Sequence, residues 1–239
     1  MITNSKNYYS NPVTADNYDK DRFTTFAGQM FDTFEKDIVL SNLPPLTPDS
    51  IILEVGVGTG RFSIAVAQKN YNIIASDYSP AMLKIIKSKI DKELSEKITI
   101  LRQDTSNLSF KDDSFDYVYC LRVTVNLDTQ VNVEQCIREM VRVCKHEGVI
   151  CFDIVNPISL AFFGGRRETI MIPMKKMKKI ISDIPDTVIS RSFGGRILSQ
   201  TVFEKSPKSF LPFIDSVDKF LSGLFPALCV RNYYVITKK

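Results

Sequence analysis

Short apolar runs alternate with amphipathic segments from Ile51 onward, and this alternation predicts an α/β fold. Strands are predicted at "IILEV", "NIIAS", "KITIL", "FDYVYCL" and "GVICFDIV", the last after a turn at "KHEG". Between them, apolar residues recur at steps of three and four in "SPAMLKIIKSKIDKEL" and "NVEQCIREMVRVC", which is the helical period. Strands separated by helices of this length form right-handed parallel crossovers, so the sheet should be covered on both faces.

The two ends of the chain have less regular patterns. Residues 1–19 are polar and predict a loose segment, after which a helical stripe begins. The stripe consists of Phe23, Phe26, Met30, Phe34 and Ile38. Beyond Pro157, "MKKMKKIISDI" predicts a short basic helix and "ILSQTVFEK" a strand. The stretch "FLPFIDSVDKFLSGLFPALCV" is apolar and interrupted by prolines, and "RNYYVITKK" predicts a last strand.

Composition narrows the classes of protein. The 239 residues are 44% hydrophobic and 24% charged, which suits a globular domain that folds without disulfides or metals. The net charge of +4 is too small to indicate a nucleic-acid partner, and no uncharged run is long enough to span a membrane. Five scattered cysteines without a C-x-x-C pair, and a single histidine, predict no metal site and the reduced thiols of a cytoplasmic protein.

The first predicted strand leads into a glycine-rich loop, "IILEVGVGTGRFS". Gly56, Gly58 and Gly60 occupy every second position behind a strand that carries Glu54. In an open parallel sheet, this first strand-to-helix turn is where a ligand is expected. The dinucleotide fingerprint G-x-G-x-x-G is not met, because Arg61 stands where its third glycine belongs, and no G-x-x-x-x-G-K-[ST] loop is present. Neither phosphate-binding signature therefore fits.

The loop Glu54-Val55-Gly56-Val57-Gly58-Thr59-Gly60 resembles the nucleoside-binding loop of class I S-adenosylmethionine-dependent methyltransferases. Asp77, Ser79, Met82 and Leu83 follow that family's D-x-S-x-x-M-L pattern after the second strand. "RQDTSNLSFKDDSFDYVYC" and "IREMVRVCKHEGVICFDIVNP" are similar to two later segments of the family. The resemblance covers residues 18–157 well and the remainder poorly, apart from the last strand.

The resemblance implies the class I methyltransferase (Rossmann-like) fold, a mostly parallel seven-stranded sheet with helices on both faces and an antiparallel last strand. A single domain over residues 1–239 is expected. Within it, residues 1–45 would form a helical lid, residues 46–157 the cofactor-binding core, residues 158–230 an insert on the acceptor side, and residues 231–239 the final strand.

The implied cofactor is S-adenosylmethionine, with S-adenosylhomocysteine as the product. Glycines let the backbone approach it, and a carboxylate after the second strand can accept hydrogen bonds from both ribose hydroxyls. Another acid, after the third strand, would meet the adenine amine, and the last carbonyl of the fourth strand would receive the ammonium. The residues expected at the cofactor are Glu54, Gly56, Gly58, Gly60, Asp77, Tyr78, Met82, Asp104, Thr105 and Cys120. Met82 is equally consistent with plain helix core.

The acceptor side is expected after the fourth strand, where the chain reads "CLRVTVNLD". The N/D-P-P-Y motif of base N-methyltransferases is missing, which counts against methylation of nucleic-acid bases. Val125 and Asn126 stand where many small-molecule relatives have histidines, so no catalytic residue is assigned. Arg122 either holds an acceptor anion or pairs with a local acid such as Asp128.

Other acceptor-side residues have two interpretations each. Tyr18 and Asn126 are candidates for acceptor contact, although aromatic residues in this helical region are more often part of the core. Arg61 is either a contact to the cofactor carboxylate or a solvated residue at a helix start. His146 lies in the predicted turn before the fifth strand, far from the expected site.

The predicted function is methyl transfer to a small-molecule acceptor, hydrophobic or anionic, achieved mainly by orientation and proximity. Three alternatives remain: a methyltransferase acting on RNA or protein, a nicotinamide-dependent oxidoreductase, and a cofactor-binding protein that performs no chemistry. The basic "MKKMKK" and the apolar stretch after it indicate either contact with a hydrophobic acceptor or a membrane surface, or an ordinary packed helix. The sequence does not define the acceptor atom or the oligomeric state.

Overall fold

A single sheet of seven strands organises the computed structural model, which describes residues 5–159 and 170–239. The strand order is β3-β2-β1-β4-β5-β7-β6. Neighbouring strands are parallel, except that β7 is antiparallel to both β5 and β6. The strands are β1 (Ile51–Val55), β2 (Asn72–Asp77), β3 (Ile98–Arg102), β4 (Phe115–Cys120), β5 (Cys144–Val155), β6 (Thr187–Gly194) and β7 (Arg231–Lys238). The predicted fold class is therefore confirmed, including the antiparallel last strand.

Ten α-helices connect and flank these strands within the described residues. They are α1 (Ser5–Ser10), α2 (Pro12–Phe23), α3 (Phe26–Ser41), α4 (Arg61–Ala67), α5 (Pro80–Lys89), α6 (Lys92–Lys97), α7 (Gln130–Val143), α8 (Met174–Ser182), α9 (Gln200–Lys205) and α10 (Leu211–Leu224). None of the described helices is both long and apolar enough to cross a bilayer.

The prediction of a loose N-terminal segment is wrong, because helices α1 and α2 begin there. Asn11 caps α2 by accepting a hydrogen bond from the Val13 N–H at 2.9 Å. The apolar stripe from Phe23 is also divided between two helices. The Thr25 hydroxyl accepts the Gly28 N–H at 3.0 Å, so a new helix begins at Phe26. Side-chain caps, which apolar periodicity does not register, account for both errors.

Two further boundaries differ from the sequence pattern. The segment after Ser79 is two helices, because Ile90 adopts an extended conformation and Asp91 caps α6 by accepting the Leu94 N–H at 2.9 Å. The predicted turn "KHEG" instead lies inside β5, which begins at Cys144. The predicted cap of α5 is present, since the Ser79 hydroxyl accepts the Met82 N–H at 3.2 Å.

The C-terminal part contains one wrong strand and one missed strand. "ILSQTVFEK" is not a strand, because α9 occupies Gln200–Lys205 and its Phe203 packs against Ala27 and Leu211. The sixth strand is Thr187–Gly194, which pairs with β7 and forms the edge of the sheet within residues 5–159 and 170–239. The basic helix α8 and the last strand β7 were predicted correctly.

Apolar cores lie on both faces of the sheet. On one face, α7 and α8 bury Ile137, Met140 and Ile181 against the strands. On the other face, α3, α4 and α5 bury Val39, Val66 and Ile86 against them, among others. All five cysteines are buried and none forms a disulfide. The two covered faces leave the carboxyl-terminal edge of β1, β2 and β4 as the place for a ligand.

Candidate functional site

A cavity at the carboxyl ends of β1, β2 and β4 is referred to as the first cavity. Parallel strands bring the loops that follow them to one edge of the sheet, so segments distant in sequence meet there. Its wall is formed by Tyr9, Tyr18, Gly56, Val57, Gly58, Thr59, Arg61, Phe62, Asp77, Tyr78, Ser79, Met82, Asp104, Thr105, Leu121, Arg122, Val123, Asn126 and Leu127.

The glycine loop forms one wall of the first cavity. Gly56, Gly58 and Gly60 have φ angles of 80°, 53° and 88°, in the left-handed region that favours glycine. A Cβ on Gly56 would lie 2.2 Å from Val123 Cγ2, whereas a Cβ on Gly58 would meet no atom within 4 Å. The loop therefore turns tightly at its first glycine and leaves space beside its second.

Asp77 connects the loop to the end of β2. Its carboxylate accepts the Gly58 N–H at 2.8 Å and the Ser79 N–H at 2.9 Å, one on each oxygen. Burial raises the pKa of Asp77 above its ordinary value, although these backbone donors oppose the shift. Each oxygen retains a second lone pair, so the carboxylate can accept the two hydroxyls of a ribose, which would stabilise its charge. This chemistry fits the nucleoside part of S-adenosylmethionine.

The residues expected around the adenine line the same cavity. Tyr78, Met82, Asp104 and Thr105 all contribute to its wall. Met82 is 2% exposed, so it is both helix core and cavity wall. The Asp104 carboxylate accepts the N–H and the hydroxyl of Ser106 at 3.0 and 2.7 Å, which orients it.

Three of the predicted cofactor residues lie behind the wall. Glu54 is 1% exposed and accepts hydrogen bonds from the Ser63 hydroxyl and, at 2.9 Å, the Tyr119 hydroxyl. Burial raises the pKa of Glu54 to about 8, so at neutral pH it is mostly uncharged and does not attract a cation. Gly60 caps α4, and Cys120 is fully buried. Their cofactor role remains a prediction.

The N-terminal helices close the first cavity. The Tyr9 carbonyl accepts the Ser79 hydroxyl at 2.7 Å, and the Tyr9 hydroxyl donates to Asn126 Oδ1 at 3.3 Å. The predicted residue Tyr18 lies beside it, with ring centroids 6.1 Å apart. Tyr9 was missed because its segment was interpreted as loose. The tyrosine pair at positions 8 and 9, in an otherwise polar segment, is the signal that could have indicated it.

A buried carboxylate, that of Glu35, lies between two arginines that line the first cavity. Glu35 accepts hydrogen bonds from Arg61 Nη2 at 3.0 Å and Arg122 Nη1 at 3.2 Å. Burial alone would raise the pKa of Glu35, but the charges of Arg122 and Arg61 outweigh it and leave the pKa lowered. Arg122 therefore pairs with Glu35 and not with Asp128. Arg61 is not solvated, since it also pairs with Asp32.

A second cavity begins where the first one ends, and Arg122 lines both. The second cavity combines aromatic side chains with polar and charged ones, drawn from α3, the loop after β4 and the C-terminal part of the chain. Its wall is formed by Phe31, Phe34, Glu35, Arg122, Val125, Val155, Arg196, Ser199, Gln200, Thr201, Val230, Arg231 and Tyr233.

Two arginines of the second cavity were not anticipated from the sequence. Arg196 is 4% exposed, lies over the Phe34 ring at 4.9 Å, and pairs with Asp215. Its Nε has no hydrogen-bond partner among the described residues. Arg231 pairs with Asp153. Neither residue belongs to a recognisable local motif, so no sequence signal distinguished them from other arginines.

His146 is remote from both cavities. It lies near the start of β5, with Nδ1 2.5 Å from the Lys239 carbonyl oxygen. The expectation that it lies far from the site is therefore confirmed. Across residues 5–159 and 170–239, no group of three or more His, Cys, Asp or Glu side chains is arranged to hold a metal ion.

Comparisons of the sequence and of the structure with known proteins both find methyltransferases. A family described as a methyltransferase domain matches residues 52–148. The demethylmenaquinone methyltransferase of Bacteroides fragilis is 30% identical over 174 residues, covering 71% of this chain and 61% of that protein. The [4+2]-cyclase SpnF superposes with a TM-score of 0.71 at 17% identity, over 99% of this chain and 96% of that one. Magnesium protoporphyrin IX methyltransferase of Synechocystis gives 0.65 at 14% identity, over 100% and 99%.

The sheet order, the glycine loop and the domain match agree with one another. Residues 52–148 match a methyltransferase domain, and the strand order is that of the class I S-adenosylmethionine-dependent methyltransferase fold, whose cofactor is S-adenosylmethionine. The chain spans 61% of the length of the Bacteroides fragilis relative. The structural likenesses, at 17% identity or below, establish the fold alone.

Proposed function

We propose that this chain transfers a methyl group from S-adenosylmethionine to a small-molecule acceptor. The cofactor would occupy the first cavity and the acceptor the second. The observation that carries the proposal is that Arg122 lines both cavities, so two ligands can meet beside it. In this scheme residues 1–45 cover the site, residues 46–157 hold the cofactor, and residues 158–230 contribute to the acceptor side.

The chain's own groups support transfer by positioning. When bound, S-adenosylmethionine supplies an electrophilic methyl group on its sulfonium. The loop glycines and Asp77 would orient it, and Tyr9 and Tyr18 would exclude water from the reacting atoms. Arg122 would orient the acceptor from the shared wall, with Glu35 fixing its guanidinium.

The described part of the site lacks a strong general base. His146 is remote, and the Glu35 carboxylate has a lowered pKa because two arginines hold it. A base is needed only where the acceptor must lose a proton during attack. The site therefore suits an acceptor that is already nucleophilic at neutral pH. Demethylmenaquinone and magnesium protoporphyrin IX, the molecules named for two of the similar proteins, support a small organic acceptor.

Cofactor binding is the first step to test, by calorimetric titration with S-adenosylhomocysteine and, separately, NAD. We expect the wild type to bind S-adenosylhomocysteine and not NAD. Asp77→Ala should weaken binding by more than about tenfold, because hydrogen bonds to a charged acceptor contribute about 1.5–3 kcal/mol each. Asp128→Ala removes an exposed carboxylate that lines neither cavity, and should bind as the wild type does.

Turnover separates methyl transfer from binding alone. Incubation with S-adenosylmethionine and a panel of quinols, porphyrins and other small acceptors should release S-adenosylhomocysteine with at least one of them. Cofactor binding without turnover on any acceptor would contradict methyl transfer and favour a protein that uses the cofactor in another way. A protein of similar fold can perform another reaction, since SpnF is described as a [4+2]-cyclase.

A further inference from the structure

Apart from Leu211 and Ile214, which pack against the body of the protein, helix α10 (Leu211–Leu224) reverses the usual amphipathic arrangement. A surface helix normally buries its apolar side and exposes its polar side. In α10, Asp218 and Ser222 are 1% and 4% exposed, whereas Phe213 and Phe220 are 69% and 68% exposed. Helix α8 of the same C-terminal part is ordinary, because it buries Met177, Ile180 and Ile181 and exposes its lysines. The reversal in α10 is therefore a local feature that requires its own explanation.

The exposed apolar residues of α10 form one continuous stripe. They recur at steps of three and four, which places them on one side of a helix. The stripe consists of Phe210, which directly precedes α10, and of Phe213, Val217, Phe220, Leu221 and Leu224 within it. It extends for about 20 Å, at a rise of about 1.5 Å per residue. Single exposed apolar residues are common on protein surfaces, but a contiguous stripe of this kind marks an interaction surface.

Specific contacts hold the helix in this orientation. Arg196 pairs with Asp215 and approaches Asp218 Oδ2 at 3.5 Å. Asp218 Oδ1 also accepts the N–H groups of Ile197 and Leu198 at 3.1 and 2.9 Å. These bonds tie the polar side of α10 to the body of the protein, so the apolar side faces outward.

The charges around the stripe are mainly positive. Lys205 and Lys208 are exposed just before the stripe begins, whereas the exposed Lys219 pairs with Asp215 at 2.7 Å. Glu204 is the one exposed acid in residues 200–230, and it accepts hydrogen bonds from Thr25 and Gln200. Apolar side chains beside exposed lysines are the arrangement of helices that lie in the interface of an anionic bilayer.

We propose that α10 docks on an anionic phospholipid bilayer, with its apolar stripe inserted at the level of the headgroups. The other occupant to consider is α10 of a second copy. Fourteen residues provide only two heptads, whereas coiled-coil pairing requires three to four. Parallel pairing of two copies would also bring Lys205 and Lys208 of one copy close to the same residues of the other. An anionic bilayer offers apolar chains to the stripe and negative headgroups to the exposed lysines.

Docking has a consequence for the acceptor site. Arg196 contacts α10 on one side and lines the second cavity on the other. A bilayer bound to α10 therefore lies near that cavity, where an apolar acceptor could enter from the lipid. This consequence rests on the proposed function, whereas docking itself does not.

Vesicle co-sedimentation tests the docking without any activity assay. The full chain is mixed with vesicles of phosphatidylcholine alone, or with roughly one-third phosphatidylglycerol added. We expect the wild type to sediment with the anionic vesicles, and Phe213→Ser/Phe220→Ser to bind at least about tenfold more weakly. Val13→Ser/Val131→Ser is the matched control, because it removes two equally exposed apolar side chains outside α10 and should bind as the wild type does.

Charge and folding are checked separately. Lys205→Gln/Lys208→Gln should lose part of its affinity for the anionic vesicles, and added salt should weaken the wild type in the same way. Because all substituted side chains are exposed, melting temperatures should stay close to that of the wild type. Equal binding of the wild type to both vesicle types, or no binding to either, would overturn the proposal. So would a stable dimer in sedimentation velocity that Phe213→Ser/Phe220→Ser dissociates.

Discussion

The two cavities are constructed from different kinds of interaction. The first cavity depends on backbone shape and short-range motifs: the Asp77 carboxylate is held by the N–H groups of Gly58 and Ser79. The second depends on side-chain ion pairs between distant segments, such as Glu35 with Arg122, 87 residues apart. The difference teaches that the first cavity is built by local motifs of the chain, whereas the second is assembled from side chains that only the fold brings together.

The electrostatics of the two sites differ in the same way. Among the described residues no cation opposes the burial of Asp77, so burial raises its pKa. Glu35 is also buried, but two arginines lower its pKa. In the first cavity, hydroxyl groups of a ligand would therefore stabilise the charge of the Asp77 carboxylate. The second holds a carboxylate that is already neutralised by the protein.

Replacing Glu35 should give the largest effect on stability. Glu35→Gln leaves Arg61 and Arg122 without their shared negative charge in a buried site, and breaking a buried ion pair costs about 3–5 kcal/mol. Arg61 keeps its pair with Asp32, so we expect about 3 kcal/mol, measured by urea unfolding. Asp37→Asn, on the exposed side of the same helix, should change the unfolding free energy by less than about 0.5 kcal/mol. Equal effects of the two would refute the role assigned to the network.

Glycine substitutions in the loop separate two roles: Gly56 allows the close approach of Val123, whereas Gly58 leaves room for a ligand. In Gly56→Ala the added Cβ meets Val123 at a positive φ, so we expect a loss of about 1–3 kcal/mol of stability together with loss of S-adenosylhomocysteine binding. In Gly58→Ala the Cβ meets no protein atom, so the cost should be only about 1 kcal/mol. Its methyl group would still occupy ligand space and weaken binding. Thermal melts and calorimetry measure the two effects. A Gly56→Ala variant that melts and binds as the wild type does would contradict the close approach.

The sequence predicted the locally built first cavity better than the second cavity. The six strands β1 to β5 and β7, the glycine loop and the position of Asp77, Tyr78, Asp104 and Thr105 in the cavity wall were predicted because each lies within a short local pattern. The wall provided by Tyr9, Phe34, Arg196 and Arg231 was not predicted, because it exists only once distant segments meet. The α9 segment was misassigned for a related reason: burial of Phe203 against α3 and α10 determines its conformation more than its local pattern does.

The pH dependence of stability should contain opposite contributions from two buried glutamates. Burial raises the pKa of Glu54 from an ordinary 4.5 to about 8, so between these values the unfolded state releases a proton that the folded state retains. Stability should fall as pH rises through that window, by at most about 1.4 kcal/mol per unit.

Glu35 acts in the opposite direction, because its pKa is lowered on folding. Its contribution is complete above its ordinary pKa and is lost as pH falls below it. Unfolding free energies from pH 3 to 9, at roughly one-unit steps, would separate the two. Glu54→Gln should flatten the neutral part of the curve, and Glu35→Gln the acid part. If Glu54→Gln left the neutral part unchanged, Glu54 would not be an uncharged carboxyl group in the folded protein.

The smallest expected effect concerns the cover of the first cavity. Tyr9→Phe removes the hydrogen bond to Asn126 and retains both the ring and the backbone bond to Ser79. A neutral hydrogen bond contributes about 1 kcal/mol, so release of S-adenosylhomocysteine should become about fivefold faster in stopped-flow measurements. Tyr8→Phe removes a hydroxyl from the exposed neighbour, which does not line the cavity, and should leave the rate unchanged. If both variants release the ligand at the same rate, the hydrogen bond from Tyr9 to Asn126 does not control access to the first cavity.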